Sequence, residues 1–216
     1  VAAVPALIGA ACIWAFVREP KNDREAHHHH HAPNAQDFRN ILLAPNLWLC
    51  AIAAAAFMSW LYLLNGFAPL YITEVAHQKP TTAGFVMGAS GMGSVLVGFI
   101  MVGLSERIGR KTAAMVMAAL AVAAPLLIMN HALYEHLWLL AGLQVLTNCG
   151  LGISTLLLVI AAAESVPRSM AATAIGLTSM FGEIFGATLM PALAGEMAAR
   201  HGLQMPLMMA SGSALV

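Results

Sequence analysis

The chain has 216 residues, 60% of them hydrophobic and 9% charged, and its 10 basic and 10 acidic side chains cancel. With a positive mean hydropathy, this composition lies far from that of a soluble domain. It also lacks the basic excess that a nucleic-acid-binding surface needs, so no nucleic-acid partner is expected.

A helix crossing about 30 Å of hydrocarbon needs roughly 20 apolar residues. Runs without a charge cover 1–17, 41–73, 81–105, 112–134 and 137–163, then 169–195 broken only by Glu183, and finally 203–216. The predicted organisation is therefore the end of one helix at 1–17, a linker at 18–40, and a helix bundle at 41–216. Its helices are expected near 41–73, 81–105, 112–134, 137–163, 169–198 and 203–216, the last truncated. That makes five complete spans and two cut ones, an all-α polytopic membrane helix bundle. Starting at Val1 with no charged leader, and stopping inside an apolar run, the chain reads as a fragment.

The linker holds five consecutive histidines, His27, His28, His29, His30 and His31, beside Arg24 and Glu25. Imidazoles bind zinc, copper or nickel. An uninterrupted run lacks the spacing of a structural metal site, so a solvated low-complexity segment is the simpler reading, with metal binding left open. The 41–73 span carries Trp60, Tyr62, Asn65, Gly66, Phe67, Pro69 and Tyr71. Gly66 and Pro69 predict a hinge, because glycine loosens a helix and proline removes a backbone donor. The aromatic side chains offer either a solute platform or, for Tyr71, an interfacial anchor. In the next span Gly84, Gly88, Gly91 and Gly98 share a side, with Ser90 and Ser94 nearby, a pattern that predicts close helix packing.

Within 137–163, Gln144, Asn148, Leu151 and Thr155 would share one face of a continuous helix. The two amides either contact solute or tie helices together. Glu183 is the sharpest residue. A carboxylate at the bilayer centre costs about 2.5–3.5 kcal/mol even on lenient scales. It should therefore face a wet cavity, pair with another group, or stay protonated, which suits either proton coupling or solute sensing. Gly176, Ser179, Glu183, Gly186 and Met190 fall on one stripe at 100° per residue.

Eight basic residues (Arg18, Lys21, Arg24, Arg39, Arg107, Arg110, Lys111 and Arg168) lie in alternate loops, against Lys79 and Arg200 in the others. The basic loops are expected to face the cytoplasm. Cys12, Cys50 and Cys149 fall in separate spans, which argues against a disulfide framework. No phosphate-binding glycine loop ending in Lys-Ser or Lys-Thr occurs, so ATP-driven pumping finds no support. Ser90, set in Gly-Ala-Ser-Gly-Met-like surroundings, lacks the strand and partners of a catalytic nucleophile. No enzyme activity and no cofactor are expected.

Glu106-Arg107-Ile108-Gly109-Arg110-Lys111 resembles the signature loop of the major facilitator superfamily, G-x-x-x-[DE]-R-x-G-[RK]-[RK]. It departs from that pattern at the first glycine, where Val102 stands. The stretches Glu164-Ser165-Val166-Pro167-Arg168 and Gly182-Glu183-Ile184-Phe185-Gly186 are similar to later parts of the same family. The resemblance implies the carboxy-terminal half of a transporter, with 1–17 ending the sixth helix and 18–40 as the central cytoplasmic loop. It implies alternating access with a missing amino-terminal half, in a lipid bilayer, here a bacterial inner membrane. Glu106, Arg107, Gly109, Arg110 and Lys111 would stabilise one state of the cycle. Helices that line the family's central cavity would present Gln144, Asn148, Asn65 and Trp60 to a small-molecule solute, and Glu183 to protons. Proton-coupled uptake of an organic acid or similar metabolite is the expected activity. Proton-exchanging efflux of drugs or amphiphiles is the alternative, favoured by 14 methionines. A non-transporting sensor or scaffold on the same fold is a third reading.

Overall fold

Two prolines open the first two long helices. α1 (Pro45–Leu70) starts with Pro45 after an extended Ala44, and α2 (Pro80–Ile108) starts with Pro80 after an extended Lys79. Proline's missing N–H is harmless there, because first-turn donors have no acceptor within the helix. α2 stops at Gly109, whose φ of 89° is a conformation that side chains resist. α3 (Arg110–Met129) begins at the next residue. The Asn130 side chain then accepts from the backbone N–H of Ala132 at 3.2 Å, opening a 3₁₀ turn, His131–His136.

The fifth span is assembled from pieces: α4 (Leu137–Thr147), α5 (Gly150–Ser154), a π-helical stretch (Thr155–Ala161) and α6 (Ala162–Glu164). After a second 3₁₀ turn (Arg168–Met170), the sixth comprises α7 (Ala171–Phe181), a π-helical stretch (Gly182–Leu189) and α8 (Met190–His201). Gly202, at φ 88°, turns the chain into α9 (Gln204–Ser213). This computed structural model describes Arg39 and residues 42–215. The expectations for 1–17 and for His27–His31 lie outside the described residues. Among the described residues five helical segments, Pro45–Val75, Pro80–Ile108, Arg110–Met129, His131–Glu164 and Arg168–His201, are long and apolar enough to cross a membrane. Among the described residues there is no strand. The molecule is the all-α helix bundle that hydropathy predicts.

α1 is the central helix, packing along the Gly182–Leu189 stretch and against α7, α8 and α9, while α2 packs on α4 and α5. Trp60, Leu63 and Leu64 of α1 are fully buried. Large apolar side chains such as Phe99, Ile100 and Trp138 cover the outside, as a lipid-facing surface requires. In hydrocarbon, helices are held by close packing and by complete use of backbone polar groups, rather than by apolar burial.

Of the glycine stripe expected to pack on α2, only Gly98 makes a close approach. Space is open where a Cβ would stand on Gly84, Gly88 or Gly91. The close approach is made by Gly93, against the backbone of Val145, and by Gly98, where a Cβ would come within 2.7 Å of the Gly152 backbone nitrogen. The buried line of α2 runs through Val86, Ser90, Gly93 and Gly98, leaving Gly84, Gly88 and Gly91 exposed.

The interruption foreseen at Gly66 and Pro69 is also displaced. α1 remains α-helical through Asn65, Gly66 and Pro69, and a π-helical turn follows at Tyr71–Val75. The Thr73 hydroxyl donates to the carbonyl of Pro69 at 3.1 Å, and Ala76 N–H reaches the Tyr71 carbonyl at 3.0 Å. The widened turn thus sits one turn after the proline that removes a donor.

Candidate functional site

Glu183 lies on the π-helical stretch of the sixth span, and its Oε2 accepts a hydrogen bond from the Tyr62 hydroxyl of α1 at 3.2 Å. Both side chains are exposed. Two glycines set this pair. A Cβ on Gly186 would stand 2.5 Å from Met58 Cβ and 2.6 Å from the Ala55 carbonyl oxygen, and one on Gly182 3.1 Å from Met58 Cγ. Without side chains, Gly182 and Gly186 let the sixth span close onto the α1 backbone. Glu183, the residue after Gly182, is then held at the edge of that contact, beside Tyr62. The Thr188 hydroxyl donates to the Glu183 carbonyl at 3.1 Å, five residues back, the spacing of a π turn. This wider turn breaks the stripe expected from 100° per residue: Gly186 is buried on α1 while Glu183 is exposed.

Asn65 is exposed one turn beyond Tyr62. Its Nδ2 donates to the carbonyl of Leu61 at 2.8 Å, which leaves the carboxamide oxygen as an acceptor. At neighbouring Gly66 a Cβ would meet nothing within 4 Å, so this face of α1 is open. Trp60 points elsewhere. It is fully buried, its Nε1 donates to the Ala121 carbonyl of α3 at 2.8 Å, and it stacks on Phe57 with 5.8 Å between centroids. Two residues along a helix are about 200° apart. Tyr62 rather than Trp60 is therefore the aromatic side chain on the Glu183 side, a distinction visible in the spacing once one face is known.

Gln144 and Asn148 are both buried within the bundle. Gln144 Oε1 accepts from the Ser90 hydroxyl of α2 at 3.0 Å, and its Nε2 donates to the Ala124 carbonyl of α3 at 2.8 Å. One side chain thus ties α2, α3 and α4 together. Asn148 stands where the helix breaks: its ψ is 106°, and α5 does not resume until Gly150. The break frees backbone donors that hydrocarbon cannot satisfy. Asn148 Oδ1 takes the Gly150 N–H at 3.3 Å, and the Ser94 hydroxyl oxygen of α2 takes the Leu151 N–H at 2.8 Å. The face expected to join Gln144, Asn148, Leu151 and Thr155 presupposes a continuous helix, and the break removes it: Leu151 is exposed while the amides are buried. Gly150 and Gly152 after two polar residues were the available signal for this interruption.

At the opposite kind of site, the loop between α2 and α3, Arg110 pairs with Glu164 at 2.8 Å, linking the loop to the end of α6. Glu106, Arg107 and Lys111 are exposed and make no ion pair among the described residues. Gly109 supplies the turn that brings Arg110 to the start of α3. Among the described residues no group of three or more His, Cys, Asp or Glu is placed to hold a metal ion.

Long apolar helices with large exposed apolar side chains define an integral, multi-pass membrane protein. The family model of the Major Facilitator Superfamily matches residues 1–187. The chain belongs to that superfamily, and its general class is secondary transporter. Comparison with curated proteins and with solved structures returned no match.

Proposed function

We propose that this transporter couples uptake of a small organic acid to protons, with Glu183 as the proton-carrying group. The observation that carries this reading is an exposed carboxylate in an apolar span, held by a neutral phenol at 3.2 Å rather than by a cation. A neutral donor positions the carboxylate without cancelling its charge. Ionised, Glu183 repels an anionic solute; protonated, it admits one. Proton binding and solute binding then favour each other, as reciprocal linkage requires of a symporter. Asn65 and Tyr62 extend the polar face toward the solute. The basic loops, with the Arg110–Glu164 pair, face the cytoplasm of a bacterial inner membrane, and the two halves of the transporter rock about this region.

A second reading draws on a different observation. A cavity of about 240 Å³ lies between α1, α3 and the fifth span, lined by Phe57, Trp60, Met115, Met117, Ala121 and Leu157. Flexible thioethers and aromatic rings adapt to varied amphiphiles, which favours proton-exchanging efflux. The test uses the full-length transporter in sealed vesicles with a trapped pH-sensitive dye, challenged with organic acids, sugars and cationic dyes. Proton entry with organic acids, lost in Glu183→Gln, is the expected result. Proton exchange with cationic dyes alone would select efflux, and coupling that survives Glu183→Gln would remove Glu183 from the mechanism.

A further inference from the structure

We infer that Asn65 is a specificity-determining residue, its carboxamide oxygen selecting organic acids that carry a hydroxyl group over those that do not. The inference rests on the reading of Glu183 and the adjoining face of α1 as the solute site, and names the class of acid. The orientation of the Asn65 amide follows from its partner. A backbone carbonyl only accepts, so the atom 2.8 Å from the Leu61 oxygen is the nitrogen. The amide oxygen, opposed to that nitrogen across Cγ, has no hydrogen-bond partner among the described residues. Asn65 is exposed, and a Cβ on neighbouring Gly66 would meet nothing within 4 Å, so a solute has room to reach that oxygen.

Two further oxygens belong to the same face. Tyr62 precedes Asn65 by three residues, about 4.5 Å along the helix axis and about 60° around it. Its hydroxyl donates its one hydrogen to Glu183 Oε2 at 3.2 Å, so toward a solute the phenol oxygen can only accept. Glu183 Oε1 has no partner among the described residues. A carboxyl group changes from acceptor to donor when it takes a proton, whereas Asn65 Oδ1 accepts in every state. No cation stands on this face: α1, α7 and the Gly182–Leu189 stretch contain no Lys or Arg, and Arg200 of α8 is bonded to Glu196. An acid with a purely apolar body would cover Asn65 Oδ1 without giving it a hydrogen, which is unfavourable. A hydroxyl group supplies that hydrogen. Glu183 then meets the carboxyl end of the solute, and Asn65, one turn further along α1, meets its hydroxyl.

The experiment uses the full-length transporter in sealed vesicles with a trapped pH-sensitive dye. Lactate, β-hydroxybutyrate and malate are each paired with their O-methyl ether, which keeps the carboxylate and the oxygen but has no hydrogen to donate. The quantity measured is the ratio of kcat/KM for the hydroxy acid to that for its ether, in wild type, Asn65→Leu and Asn65→Asp. Wild type should prefer the hydroxy acid by about two- to tenfold, the worth of one hydrogen bond. In Asn65→Leu, similar in size but without an acceptor, the ratio should fall to about one. In Asn65→Asp, which keeps an acceptor and adds charge, both acids should enter more slowly while the preference survives. A preference that persists in Asn65→Leu would come from the bulk of the added methyl group and overturn the role of Asn65. Loss of the preference in both variants would trace it to the amide N–H and overturn the role of the oxygen. Equal transport of both members of every pair by wild type would overturn the inference while leaving organic-acid uptake standing. Absence of proton entry with every acid would instead overturn the reading on which the inference rests.

Discussion

Arg110 Nη2 lies 2.8 Å from Glu164 Oε1, joining the loop after α2 to the end of the fifth span. The side chains are 39% and 54% exposed, so the pair contributes at most about 1 kcal/mol to stability. Its consequence is geometric: it fixes the relative position of two helix ends on the side that carries the basic loops. Reversing one charge, Arg110→Glu, is expected to lower transport without unfolding the protein. Adding Glu164→Arg to the same protein should restore most of it. Initial rates of solute uptake for both single variants and the double variant check this, and the absence of rescue would show that the pair does not act as a unit.

Gly98 and Gly88 lie on the same helix in opposite situations. A Cβ at Gly98 would collide with the Gly152 backbone at 2.7 Å, whereas one at Gly88 meets open space. Gly98→Ala should therefore separate α2 from α5 and destabilise the bundle by about 1–3 kcal/mol. Gly88→Ala should be close to neutral. Thermal unfolding in detergent, followed for both variants, decides whether the contact or the stripe pattern governs packing.

Gln144 makes its two hydrogen bonds to Ser90 and to the Ala124 carbonyl, which occupies both ends of the amide. Gln144→Leu is expected to cost about 0.6–2 kcal/mol of stability and to leave the solute concentration for half-maximal uptake unchanged. A large rise in that concentration with unaltered stability would make Gln144 a solute contact after all.

Gly109 adopts φ 89° between two helices separated by that one residue. Gly109→Ala should cost about 1–2 kcal/mol, the penalty for a side chain in left-handed backbone. Because the turn delivers Arg110 to Glu164, the same variant should also weaken the rescue seen between those two positions. A denaturation midpoint indistinguishable from wild type would show that the turn relaxes to another conformation at little cost.

The candidate site was only partly legible in the sequence. Glu183 stands out because a carboxylate in an apolar run is costly wherever the neighbouring helices lie. Tyr62 carries no such mark, since a tyrosine in a membrane helix is equally at home at an interface, in a packing contact or beside an acid. Trp60 and Gln144 look alike in a linear reading as cavity candidates. Their burial depends on which faces of α1 and α4 meet α2 and α3. Asn148 was visible as a polar residue in an apolar helix, but its service to a broken backbone appears only where Gly150 and Leu151 have lost their regular acceptors.

Hydropathy and residue type are properties that add along a chain, and they alone pointed to an all-α membrane protein, with five long apolar helical segments among the described residues. The order of residues in the Glu106–Lys111 loop pointed to the superfamily in the same way, since a loop motif is contiguous and needs no partner to be read. The tertiary structure decided everything that depends on which helix faces meet. It kept Gly98 of the expected stripe at a backbone contact, added Gly93, left Gly84, Gly88 and Gly91 exposed, turned Trp60 inward, and set Tyr62 on Glu183. The reason is physical: a π turn or a helix break rotates every later side chain about the axis, and a glycine becomes a contact only when another backbone arrives there. Neither event leaves a periodic trace in the one-dimensional pattern.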